Sequence, residues 1–227
     1  IFKEFFNKTL NTKNIDSRNE NFYLNTDKRE NYLFNSGINA IEDSDFIFLI
    51  GTNPRYEATI LNARIRKAYL KNKTKIISTN DVGDLTYQYD FLDGNTNNIK
   101  DIIEDKHEIS NLIKEARKPM IIIGQSIFKS KSGKYIFESI KSFLNKNNKI
   151  SKEWNSLNII NENAATVGAY DLGIYNLSNT KIDIFENLKN NKYDVIYLLG
   201  QDSLNFKKKD EFIIYQGSHG DKGAEIA

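Results

Sequence analysis

Gly51, Thr52 and Asn53 follow the apolar run Phe46-Ile47-Phe48-Leu49-Ile50 and precede Pro54, so backbone N–H groups at this strand-to-helix turn are placed to face an anion such as a nucleotide phosphate. The segment carries neither GxGxxG nor GxxxxGK[ST], and a glycine that closes a buried strand is expected for tight packing alone, which is the stronger reading. Ser218-His219-Gly220-Asp221 sets a hydroxyl, an imidazole and a carboxylate side by side. A catalytic triad converges in space, however, and near-adjacent residues of one loop do not make that relay. His107 lies among Glu104, Asp105, Lys106 and Glu108 and reads as a surface residue rather than a metal ligand. Lys207-Lys208-Lys209 reads as a solvated turn before Asp210, too narrow for a nucleic-acid patch. The expected sets of catalytic, cofactor-binding and metal-binding residues are therefore all empty.

Composition points the same way. The chain has no cysteine and two histidines. Disulfides, thiolate zinc sites, cysteine-ligated iron-sulfur clusters and a cysteine nucleophile are excluded from this polypeptide. Its 32 basic and 30 acidic residues leave a net charge of +2, with no electrostatic footprint for nucleic acid. No apolar run approaches the roughly 20 residues that span a bilayer, so membrane association is expected only through partners. Ile1 opens the sequence, and no targeting presequence is evident at Phe2 to Leu10. Asn, Lys and Ile, residues with AT-rich codons, are abundant, which argues against reading the asparagine tracts as functional low complexity.

The elements that would position these residues are legible from periodicity. Phe46–Ile50 is continuously apolar and reads as a strand buried on both faces, ended by Gly51. Asn53 as N-cap and Pro54 at the first helical position begin a helix whose apolar residues Ala58, Leu61, Ile65 and Ala68 recur at helical spacing. Met120–Ile123 ending at Gly124, Val195–Leu199 ending at Gly200, Phe212–Tyr215 before Gly217, and Lys75–Ser78 supply four further strands. Helices are expected around Ile109, Leu112, Ile113 and Ala116, around Ile136, Ile140, Phe143 and Leu144, around Leu157, Ile160, Ala164 and Val167, and around Ile182, Phe185 and Leu188. The fold class is α/β, mostly parallel sheet with helices on both faces. The polar stretch Asn145 to Asn148 is the expected seam between an α/β lobe at 1–145, its N-terminal segment poorly assigned, and a second lobe at 149–227.

GTNPRYEATILNARIRKAYL from Gly51, DLTYQYDFLDGN from Asp84, EARKPMIIIGQS from Glu115, AYDLG from Ala169 and FIIYQGSHGDKGAEIA from Phe212 together resemble the large, 75 kDa iron-sulfur subunits of respiratory complex I, the NADH-ubiquinone oxidoreductase of mitochondria and bacteria. The likeness begins near Asn31-Tyr32-Leu33-Phe34-Asn35 and runs collinearly to the C-terminus. It is poor over the first thirty residues and loose over Ile127 to Asn155, and the chain stops before the end expected of the family's last lobe.

The resemblance implies the C-terminal, molybdopterin oxidoreductase-like part of that subunit. The family's iron-sulfur clusters are then expected in a missing N-terminal part or a partner chain, and the molybdenum cofactor is expected to be lost. It further implies a non-catalytic scaffold in the peripheral arm of mitochondrial complex I, on the matrix side of the inner membrane. The implied partners are other peripheral-arm subunits, including an iron-sulfur-bearing N-terminal half. A molybdopterin- or nucleotide-binding oxidoreductase fragment, using the loops after Gly51, Gly124 and Gly200, is the alternative, and an autonomous nucleotide-binding module a third.

Overall fold

The computed structural model describes residues 1–175, 183–220 and 222–227, which form two compact units, Phe22–Val167 and Ile1–Asn21 together with Gly168–Ala227.

The larger unit is built on five parallel strands: β1 (Phe46–Ile50), β2 (Lys75–Ser78), β3 (Asp90–Phe91), β4 (Pro119–Gly124) and β5 (Leu157–Ile160), in the order β3-β2-β1-β4-β5. β1 is central, with Phe46 opposite Lys75 on one side and Pro119 on the other. All five of its residues are buried, as its unbroken apolar run demands of a parallel strand covered on both faces. Side chains alternate between those faces. Phe46, Phe48 and Ile50 pack with Ile99, Ile113, Phe137 and Leu144 under the helices Thr96–Ile103, Glu108–Glu115 and Gly133–Lys146. Ile47 and Leu49 pack on the other side with Leu61, Ile65 and Ala68 of the helix Thr59–Asn72. The α/β class with a parallel sheet between helical layers is thus as the sequence indicates.

Three features of this unit differ from the sequence reading. Leu157 to Val167 is not one helix. Leu157–Ile160 is a buried strand registered on β4, Ile121 opposite Leu157, and a helix follows at Thr166–Asp171. The three-residue spacing of Leu157 and Ile160 imitates a helical stripe, but both faces of this strand are covered. The intervening Asn158 is fully buried because its amide is engaged: Oδ1 accepts from Ser36 N at 2.9 Å, and Nδ2 donates to Ser36 Oγ and to Ser156 O, each at 3.1 Å. β5 also moves the seam. Asn145 to Asn148 is the end of the helix Gly133–Lys146 and the turn after it, inside a unit whose sheet continues through β5. Finally, the helix expected from Pro54 onward is interrupted at Ala58 (φ −152°, ψ 68°), which separates Pro54–Glu57 from Thr59–Asn72.

The smaller unit pairs β6 (Val195–Leu199) and β7 (Phe212–Gln216) in parallel, Val195 opposite Phe212. The helix Ile184–Lys189 buries Phe185 and Leu188, as their spacing predicts, while Ile182 lies outside the described residues. The first 21 residues belong to this unit. Asp16 and Arg18 make a buried two-point ion pair there, and the Arg18 guanidinium sits 5.3 Å from the centroid of the Phe185 ring. Ser17 donates through N and Oγ to Ile174 O at 3.1 and 2.8 Å. Phe2 and Phe6 meet Tyr197 of β6 edge-on, centroids 5.9 and 5.6 Å apart.

Candidate functional site

In an open sheet of this order the crossovers leave β1 and β4 in opposite directions, and the crevice beyond their C-terminal ends is where ligands of such folds sit. The chain enters it at Gly51 and Gly124, so the residues flagged by sequence do stand at this reversal of strand order. Gly51 is in the left-handed region, φ +57°, which turns the chain sharply away from β1.

At the crevice the two turns pack closely against each other. A Cβ on Gly51 would overlap the Ile127 side chain and come 2.9 Å from Ser126 Oγ, and a Cβ on Gly124 would overlap Gly51 O and lie 2.7 Å from Thr52 Cβ. The two turns touch backbone to backbone, so the glycines are needed here for close approach. Every backbone group of Gly51 has a partner within the fold: its N–H donates to Thr79 Oγ1 at 3.1 Å, and its carbonyl accepts from Ser126 Oγ.

Several of the donors an anion would use at the first turn are also engaged. Thr52, 3% exposed, donates through Oγ1 to Glu57 Oε2 at 2.8 Å, and Asn53 N–H donates to Glu57 Oε1 at 2.7 Å. Asn53 is the N-cap the sequence suggests, its Oδ1 accepting from Arg55 N at 3.2 Å, while its Nδ2 donates to Val82 O at 2.9 Å and so ties the turn to the loop after β2. That loop is itself pinned: Arg55 Nη1 meets Asp84 Oδ2 at 2.7 Å, and backbone donation from Thr86, with the Arg55 contact, holds the Asp84 carboxyl below the usual carboxylate range. Gln125, buried at the end of β4, accepts from Glu162 N at 2.9 Å and fixes the exit of β5. At this crevice the Thr52 hydroxyl and the Asn53 N–H are thus held by Glu57 within the chain rather than left open to a pterin or a nucleotide phosphate. Glu57 is not among the residues singled out from sequence; its spacing of four and five residues from Asn53 and Thr52 is the signal that points to it.

The remaining sequence candidates are not assembled with it. His107 caps the helix Glu108–Glu115, its Nδ1 accepting from Ile109 N at 3.2 Å, a role its position one residue before the helix would have revealed. His219 Nδ1 lies 2.9 Å from the Oγ of its neighbour Ser218, both exposed, and Asp221 lies outside the described residues. Gly200 ends β6 with φ +58° and nothing within 4 Å of where a Cβ would stand. Lys208 of the lysine run donates to Ile226 O at 2.7 Å. No group of three or more His, Cys, Asp or Glu is placed to hold a metal among the described residues, and no helix there is long and apolar enough to cross a membrane. A shallow apolar cleft of about 470 Å³ opens between Phe34, Ile38, the Ala58–Leu61 turn and the end of β5.

Strand order, crossovers and the position of the crevice define an open, doubly wound α/β fold. The chain belongs to the molybdopterin oxidoreductase family, whose model matches residues 1–227. It is similar to the NADH-ubiquinone oxidoreductase 75 kDa subunit of Reclinomonas americana, 36% identical over 242 residues that take in 100% of this chain and 34% of that protein. It is likewise similar to the mitochondrial NADH dehydrogenase (ubiquinone) iron-sulfur protein 1 of Solanum tuberosum, 33% identical over 97% of this chain and 29% of that protein. The mitochondrial NADH-ubiquinone oxidoreductase 78 kDa subunit of Candida albicans is 37% identical over 88% of this chain and 27% of its own length. The chain thus spans about a third of the length of these curated relatives.

Proposed function

We propose that the chain is a non-catalytic structural part of the large iron-sulfur subunit in the peripheral, NADH-oxidising arm of mitochondrial complex I. It supports electron transfer from NADH to ubiquinone by holding neighbouring subunits rather than by carrying electrons. The observation that carries this reading is the close packing of the turns after β1 and β4, where Glu57 takes the Thr52 hydroxyl and the Asn53 N–H, and Ser126 and Ile127 lie against Gly51. The absence of cysteine supports it, since a cluster-bearing role requires thiolate ligands that this polypeptide lacks. In this reading the clusters belong to an iron-sulfur-bearing partner or preceding part, and the site of action is the matrix side of the inner membrane, reached through partners.

Affinity purification of the tagged chain from mitochondria, followed by native electrophoresis and elemental analysis, tests the reading. The expected result is co-migration with NADH dehydrogenase activity and a cysteine-rich partner. About one molybdenum per chain, or recovery as a free nucleotide-binding monomer, would instead support the oxidoreductase-fragment or autonomous-module alternative.

A further inference from the structure

A crevice of this fold must be kept shut if the chain is a scaffold, and the side chains around Gly51 supply a mechanism. Two independent contacts converge there. The Glu57 carboxylate reaches back over one helical turn to take the Thr52 hydroxyl and the Asn53 N–H, while Ser126 and Ile127, entering from the opposite turn, lie on Gly51 from the other side. A carboxylate presents two charged acceptor oxygens, as one edge of a phosphate does, and charge-assisted hydrogen bonds of this kind are the strong ones. Ile127 brings apolar volume against Gly51, beside these donors.

We propose that Glu57 and the Ser126-Ile127 pair form an internal plug, the Glu57 carboxylate serving as a built-in anion that occupies the turn donors and Ile127 filling the space between the turns. This inference rests on the scaffold reading for its meaning and on the geometry at Gly51 for its content. The break at Ala58 fits it, because the separate Pro54–Glu57 turn carries the Glu57 side chain over the turn that precedes it.

The chain has no native cysteine, so a single introduced thiol reports on the plug even inside a large assembly. Thr52→Cys puts that thiol beneath Glu57, at a position 3% exposed, and retains a weak donor toward the carboxylate. Alkylation of this polypeptide by iodoacetamide, read by mass spectrometry in the assembly with which it is purified, should be slow for Thr52→Cys. It should be about tenfold faster or more when Glu57→Ala or Ile127→Ala is added, because the local opening that exposes the thiol becomes easier. Acetate, compared with chloride at equal ionic strength, should slow the Glu57→Ala form and leave the Ile127→Ala form unchanged. Equal rates in all three backgrounds, or a Thr52→Cys rate matching that of an exposed Tyr56→Cys control, would overturn the plug; absence of the acetate effect would overturn the carboxylate's part in it. Molybdenum in the wild-type chain would defeat the scaffold reading without altering these rates, so the two failures are distinguishable.

Discussion

Asp16 and Arg18 stand two residues apart and form a two-point ion pair, Nη2 to Oδ2 at 2.8 Å and Nε to Oδ1 at 3.0 Å, with side chains only 4% and 3% exposed. Desolvating two charges is costly, and the geometry here recovers that cost through paired hydrogen bonds and the face of the Phe185 ring. Removing one charge takes the larger part of the compensation from the other, which stays buried. Asp16→Asn is expected to destabilise the unit formed by 1–21 and 168–227 by about 3–5 kcal/mol. Limited proteolysis should then cleave within that unit before Phe22–Val167; an unchanged digestion pattern would refute the assignment of the first 21 residues to it.

That assignment marks where the sequence stops being readable. Phe46–Ile50 is legible because five consecutive apolar residues closed by a glycine fit a buried strand and little else, and the helix Gly133–Lys146 is legible because Ile136, Ile140, Phe143 and Leu144 keep a helical period. The segment 1–21 has no such internal pattern. Its partners, Ile174, Asp183 and Phe185, lie more than 150 residues away, and long-range polar contacts leave no periodic trace. Leu157–Ile160 fails for a different reason: four residues are too few to separate a strand's period from a helix's. At the crevice, Gly51 and Asn53 could be placed from sequence, whereas Ile127 could not, since only the β1–β4 pairing brings it to Gly51.

Gly124→Ala tests that close approach. The added methyl overlaps the Gly51 carbonyl oxygen and crowds Thr52 Cβ, and neither backbone can yield without distorting β1 or β4. Overpacking of this kind costs about 1–3 kcal/mol. Gly168→Ala, in the helix Thr166–Asp171 where nothing lies within 4 Å, is the contrasting control and should be neutral or stabilising by up to about 1 kcal/mol. Denaturation midpoints for the two variants should differ accordingly, and equal midpoints would contradict the packed seam.

The acid limb of stability is expected to depend on Glu138. Burial raises its pKa, but hydrogen bonds from Tyr23, at 2.5 Å, and Asn25, at 2.8 Å, outweigh burial and hold the carboxyl below its ordinary value. A depressed carboxyl contributes stability above its unfolded pKa of about 4.3 and loses it as the pH falls through the lower folded value. Burial, reinforced by the Glu138 hydrogen bond, pushes Tyr23 up to about 12, so its contribution persists to about pH 10 and fades only above that. Glu138→Gln should therefore lower stability at about pH 7 and flatten the loss below about pH 4. Parallel acid limbs for the variant and the wild type would exclude this network as a determinant.

Among the described residues, one face of the two-stranded sheet is covered only in part, by Phe2 and Phe6 against Tyr197. Val195, Tyr197 and Leu199 of β6 and Phe212 and Ile214 of β7 point to one side, in register, and are 36–67% exposed, although both strands carry the unbroken apolar sequence that in β1 and β4 is buried on both faces. Parallel strands of this composition are stable when both faces are covered, and two strands alone are marginal in water. The chain expressed by itself should consequently self-associate through this face and edge. Leu199→Ser combined with Phe212→Ser removes two of its largest apolar side chains without touching Leu198 or Ile213, which are buried in the smaller unit. Light scattering at equal concentration should show less association for the double variant, with secondary structure retained by circular dichroism. If the variant associates as strongly as the wild type, the exposed β6–β7 face is not what drives association of the chain.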